Sequence, residues 1–199
     1  MQKSKIANIS TNNIEILQSL PQVGFMMAGF NIVYSIWYGF AWGLVGWILF
    51  SISMLLSIYI FIRSIHILNY SKQFDKVESE SGKAIEKKMG ILSGISYGSL
   101  WVAVIILLIS RQYRFILPAV TLIIGVHFIP QAKIFNHKIY YYGAVAPIVS
   151  SLTAFYVCFT STASWLETFS IAGIGGSIAV ICFGFYVLIS YQKIISRVN

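Results

Sequence analysis

The chain has 199 residues, of which 57% are hydrophobic and only 10% charged, against about a quarter charged in an ordinary soluble domain. Burying that apolar content leaves little for a water-soluble domain. The net charge of +8 does not point to nucleic acid, because no recognition motif is present and the basic residues stand at the ends of apolar blocks rather than on one face of a domain.

Charge is absent from residues 16–62, 89–110, 115–132, 139–166 and 168–192. A membrane span needs about 20 apolar residues at ~1.5 Å rise each, so the first block holds two spans and each of the others one. The expectation is an all-α integral membrane bundle of six transmembrane helices at 21–39, 43–62, 89–110, 115–132, 139–160 and 169–191.

The N-terminal segment 1–20 is polar at first and lacks the short apolar core and cleavage site of a signal peptide, so the first span is expected to act as its own uncleaved insertion signal. Within it Ile14, Ile16, Leu17 and Leu20 recur at helical spacing. They fit either a short helix on the membrane surface or an extension of the first span. Pro21 is expected at the first helical position, where its missing N–H costs nothing. The segment 38–43 reads as a glycine-rich aromatic turn. The loop 63–88 is the one sizeable hydrophilic connection and mixes lysines with Asp75, Glu78, Glu80 and Glu86. It is expected to be a solvated linker, partly helical near the third span. Residues 192–199 form a polar tail.

Of fourteen Lys and Arg residues, twelve fall on the side that carries both termini, and only Arg111 and Arg114 fall on the other, with Glu167. The positive-inside rule then places both termini and the 63–88 loop in the cytoplasm. Membrane lipids are the expected partner, with anionic headgroups against the basic side. Trp37, Tyr38, Trp42 and Trp165 at the outer turns, and Tyr140, Tyr141 and Tyr142 at an inner boundary, fit interfacial aromatic belts.

Helices in lipid associate by close packing, which small residues permit. Gly90, Gly94 and Gly98 form a stripe on the third span; Ala172, Gly173, Gly176 and Ser177 form another on the sixth. Packing within the chain is the preferred expectation for both, with a homo-oligomer seam through Gly90, Gly94 and Gly98 as the alternative. No convincing residue match relates spans one to three with spans four to six.

The chemical inventory is thin. No Asp or Glu lies in a predicted span, which weakens coupling through an intramembrane carboxylate. Nucleophile, zinc and phosphate-loop motifs are absent, so no catalytic residue, metal or cofactor is expected. Cys158 and Cys182 differ in depth by ~16 Å, beyond the ~7 Å reach of a disulfide. The distinctive stretch runs from Gly125 through His127, Pro130 and Gln131 to Phe135, followed by Tyr140-Tyr141-Tyr142-Gly143. His127 is the one ionisable side chain well inside a span. Gln131, four residues on, shares its face, and Pro130 frees the carbonyl of Val126.

The G-x-H-F-x-P pattern with its following aromatic run resembles that of small bacterial polytopic membrane proteins of unknown function. The resemblance covers spans four and five, implies a bacterial inner-membrane protein, and carries no activity with it. By helical rise from the inner boundary, Asn31 lies at ~15 Å, Tyr97 at ~12 Å and Tyr186 at ~9 Å, near the depth of His127. The candidate ligand-binding set is therefore His127, Gln131, Asn31, Tyr97 and Tyr186. The functional expectation is a protein that binds or translocates a small molecule through a polar pocket around His127. The alternative is a non-catalytic membrane accessory, a sensor or scaffold. A lipid-active enzyme with His127 as base ranks last, since no carboxylate or nucleophile accompanies the histidine.

Overall fold

The computed structural model describes residues 11–196; Lys3, Lys5 and Arg197, three of the twelve basic residues on the side of the termini, lie outside them. Six long helices run α1 Thr11–Ser35, α2 Trp37–Ser71, α3 Glu80–Ile109, α4 Ile116–Ile134, α5 Ile139–Thr160 and α6 Trp165–Ser196, with a 3-10 turn at Tyr113–Phe115 before α4. All six are long and apolar enough to cross a membrane. No strand occurs among the described residues. In hydrocarbon each backbone polar group must be satisfied within its own segment, which selects helices.

Helix α6 is the hub. It packs against α1, α2, α4 and α5, and α1 also packs on α2. The small residues of α6 permit this. A Cβ on Gly173 would strike the carbonyl of Tyr34 in α1, one on Gly175 the carbonyl of Ala146 in α5, and one on Gly184 the side chain of Ile60 in α2. Polar links add to the contacts: Ser150 Oγ donates to the Ala172 carbonyl at 3.1 Å, and Ser151 Oγ to the Pro118 carbonyl at 2.9 Å.

Helix α3 stands at the edge, packed on α4 and the 3-10 turn. Ser96 is its one buried residue. The expected packing of Gly90, Gly94 and Gly98 within the chain is not found: all three are exposed, and a Cβ on any of them would meet nothing within 4 Å. The reason is rotational. At 3.6 residues per turn, Ser96 lies nearly opposite Gly94 and Gly98 on the helix. Ser96 faces α4, so the glycines face away from the bundle.

The first span is longer than predicted. Helix α1 is continuous through Pro21, which lies inside the helix and not at its start. Leu17 and Leu20 are buried in a cluster with Ile60, Ile67, Phe74, Val187 and Leu188, so of the two readings of this segment the extension is the one observed. The 38–43 turn is partly helical. The chain breaks at Trp42 (φ −116°, ψ 16°) and Gly43 (φ 57°, ψ −133°), backbone that glycine adopts without strain. Gly46 then lies against the Tyr38 carbonyl, where a side chain would not fit. Tyr38 itself is buried and donates to Ser177 Oγ at 3.0 Å. Trp37 packs edge-on against Trp165 and Phe169. These rings seal the α1–α2 corner onto α6, with Trp165 still 46% exposed.

At the lysine-rich end, α1 clamps the loop before α3. Gln18 Nε2 donates to the Asp75 carbonyl at 2.9 Å. The Glu15 carboxylate accepts from the Ser79 amide at 3.2 Å and from Ser79 Oγ at 2.6 Å. Ser79 in turn caps α3, its hydroxyl accepting from the Gly82 amide at 2.9 Å. Cys158 and Cys182 are both free.

Candidate functional site

His127 and Gln131 lie one helical turn apart on the buried face of α4, at 7% and 8% exposure. The imidazole is held at both nitrogens. Gln131 Nε2 donates to His127 Nε2 at 2.6 Å, which leaves the ring proton on Nδ1 to donate to Ser96 Oγ at 2.8 Å. The Nδ1 partner is thus a serine from α3 and not a backbone carbonyl freed by proline. The Tyr97 ring stands 6.2 Å from the imidazole. Phe128 stacks on Phe183 at 4.8 Å, fixing α4 against α6.

This polar chain borders a cavity of about 340 Å³ between α1, α3, α4 and α6, within the range of small-molecule sites. Helix α1 contributes Gln22, Met26, Phe30 and Tyr34; α3 contributes Met89, Ser93, Tyr97 and Leu100. Helix α4 contributes Leu117, Val120, Ile124, His127 and Gln131, and Val180, Phe183 and Tyr140 are among the other lining residues. The cavity is elongated. By helical rise, Gln22 to Tyr34 covers ~18 Å and Gln131 to Leu117 ~21 Å, about twice the width of a sphere of equal volume.

Three of the five expected residues, His127, Gln131 and Tyr97, meet at this cavity. Asn31 does not. It is buried on another face of α1, and its Nδ2 donates to the Ser53 carbonyl at 3.0 Å and to Ser57 Oγ at 2.8 Å, joining α1 to α2. Tyr186 also does not line the cavity; it packs edge-on against His137 at 5.3 Å. Ser96, Ser93, Gln22 and Tyr140 were missed. A signal for two of them existed: Met89, Ser93 and Tyr97 recur every four residues with Ser96 beside them, a mixed polar face that the glycine stripe overshadowed.

The lining side chains offer hydrogen bonds and apolar contact. No carboxylate lines the cavity, both imidazole nitrogens are engaged, and no cluster suited to a metal occurs among the described residues. No family model, curated protein or solved structure matches this chain.

Proposed function

We propose that the protein binds a small molecule in the cavity that ends on His127, as a membrane receptor for it or as a step in its translocation. The observation that supports this reading is the cavity itself, an apolar trough with a few convergent polar groups at one end, which is the usual composition of a ligand site. The test is mass spectrometry of molecules that co-purify with the native protein and with His127→Gln and His127→Leu, paired with thermal stability. A folded His127→Leu protein should lose the bound species. Retention of the same species would end the case for a site at His127 and favour a membrane accessory, a reading that the uncovered glycine face of α3 also supports.

The setting we propose is a bacterial cytoplasmic membrane with the lysine-rich end inside. Arg63, Lys72, Lys76, Lys83, Lys87, Lys88, Lys133, Lys138 and Lys193 support this orientation, against Arg111 and Arg114 at the opposite end. In a background without Cys158 and Cys182, Ser164→Cys should react with an impermeant thiol reagent on intact cells and Ser81→Cys should not. The reverse pattern inverts the orientation.

A further inference from the structure

The cavity is graded along its length. Near the lysine-rich end its wall carries Gln22, Ser93, Gln131 and Tyr140 beside His127; toward the opposite end it carries Phe30, Leu100, Leu117 and Val120, with Tyr34 as the one polar-tipped side chain there. Its side is open. Val23, Met26 and Val33 of α1 line the cavity yet are 36%, 41% and 54% exposed. Helices α1 and α3 flank this opening without packing closely on each other. An occupant can therefore arrive sideways from the hydrocarbon without crossing a polar vestibule.

Three properties define that occupant. An apolar cavity of about 150 Å³ holds a benzene ring, so the 340 Å³ here holds roughly fourteen carbons, one extended chain along the ~18 Å from Gln22 to Tyr34. Extended single-bonded chains advance roughly 1.2 Å per bond, so ~18 Å accommodates about sixteen atoms. At the polar end, the exposed Lys88 directly precedes the lining residue Met89, whereas Lys133, two residues beyond Gln131, lies on the far face of α4. An ammonium group on a long stem at that level complements a negative headgroup. The Gln131 amide has two N–H donors and an oxygen that accepts up to two bonds, and its bond to His127 uses one of the donors.

Building on the ligand-binding reading above, we propose that the cavity takes a single-chain amphiphile with a small anionic headgroup. The headgroup lies beside Gln131, on the side of Lys88. The chain runs along Phe30 and Leu117, and access is lateral, between α1 and α3.

The test uses delipidated full-length protein in nanodiscs and direct binding of radiolabelled palmitate, with hexadecanol, octanoate and a diacyl phosphatidic acid as competitors. Palmitate should bind saturably. Hexadecanol should compete about tenfold more weakly for want of charge, octanoate for want of chain, and the two-chain lipid poorly. Lys88→Gln should weaken palmitate about fivefold at low salt and leave hexadecanol unchanged, while Lys133→Gln, on the far face of α4, should change neither. Met26→Trp, an exposed substitution that should spare the fold, should block the opening and abolish binding; Val120→Trp, which fills the apolar half, is the second obstruction. Equal competition by hexadecanol overturns the anionic headgroup, and equal competition by the two-chain lipid overturns the single chain. Palmitate binding that survives in folded Met26→Trp and Val120→Trp proteins moves it out of this cavity. Failure of palmitate to bind, while a different co-purified species is lost in His127→Leu, rejects the amphiphile and keeps the ligand site. Failure of both rejects the site.

Discussion

Helices α6 and α3 carry small residues at the same spacing and use them in opposite ways. In α6 the glycines meet backbone and rings of three neighbours, and 61% of an 18-residue apolar window is buried; in α3 the corresponding share is 6%, and the glycines face away from the chain. Helix α6 is held by close approach. Helix α3 is held by polar bonds at two places, Ser96 with His127 at mid-length and the Glu15–Ser79 cap at its start. A small-residue stripe shows that a helix can be approached closely. It does not show which face the rest of the chain will choose when a buried hydrogen bond competes for the rotation.

The largest expected effect tests that contrast directly. Gly173→Leu drives a side chain into the Tyr34 carbonyl and should cost about 3 kcal/mol or more, read as a lowered unfolding temperature in detergent. Gly94→Leu should stay within ~0.5 kcal/mol, as for an exposed site. A comparable loss for Gly94→Leu would mean that the stripe is covered after all, by this chain or by a second copy.

His127→Leu comes next, because it releases α3 at mid-length. It strands the Gln131 amide and the Ser96 hydroxyl in an apolar interior and should cost about 2 kcal/mol. Ser96→Ala should cost about 1 kcal/mol, and the double variant less than the sum, since the two residues share one bond. Additive losses would show that Ser96 and His127 act independently and that something else orients α3.

Position along the helix axes was legible in the sequence; azimuth was not. Charge-free blocks and helical rise placed six helices and brought His127, Gln131 and Tyr97 to one cavity. The same reasoning put Asn31 with them, but Asn31 points around α1 to Ser53 and Ser57. A polar side chain in a span can be satisfied by whichever neighbour faces it, and residue depth carries no record of that neighbour. Pro21 was misplaced for a related reason. Its position inside α1 depends on Leu17 and Leu20 finding Ile60, Ile67 and Val187 across the bundle, a tertiary gain that outweighs one missing backbone bond. Gly43 was legible because backbone of positive φ leaves a local mark on composition.

The second attachment of α3 should yield a smaller, local effect. Glu15→Ala removes the acceptor that holds the Ser79 amide and hydroxyl, with an expected cost of about 1 kcal/mol. Hydrogen exchange should quicken at the amides of Ser79 and Gly82 while the α6 core keeps its protection. Faster exchange throughout α6 would show that the two helices are not held separately.

The smallest effect concerns the ion pair in the same loop. Lys76 Nζ lies 2.7 Å from Glu78, and Lys83 Nζ lies 3.8 Å from it, but the side chains are 83%, 64% and 49% exposed for Lys76, Lys83 and Glu78. Exposed pairs in water contribute little, so Glu15 and Gln18 from α1, rather than this pair, should order the loop. The hydrogen bond and charge of Lys76 hold the Glu78 carboxyl below the ordinary glutamate value, and Glu78 holds Lys76 above the ordinary lysine value. For Glu78 the sign follows from the depression: any stabilisation is present above the unfolded-state value and is lost as pH falls through the lower folded-state value. For Lys76 it is present below the unfolded-state value and is lost as pH rises through the higher folded-state one. A carboxyl-labelled NMR titration should find Glu78 titrating low, and Lys76→Gln should return it toward the ordinary value while the unfolding temperature at neutral pH stays unchanged. A clear drop in unfolding temperature for Lys76→Gln would assign the pair a share in seating α3 that its exposure argues against.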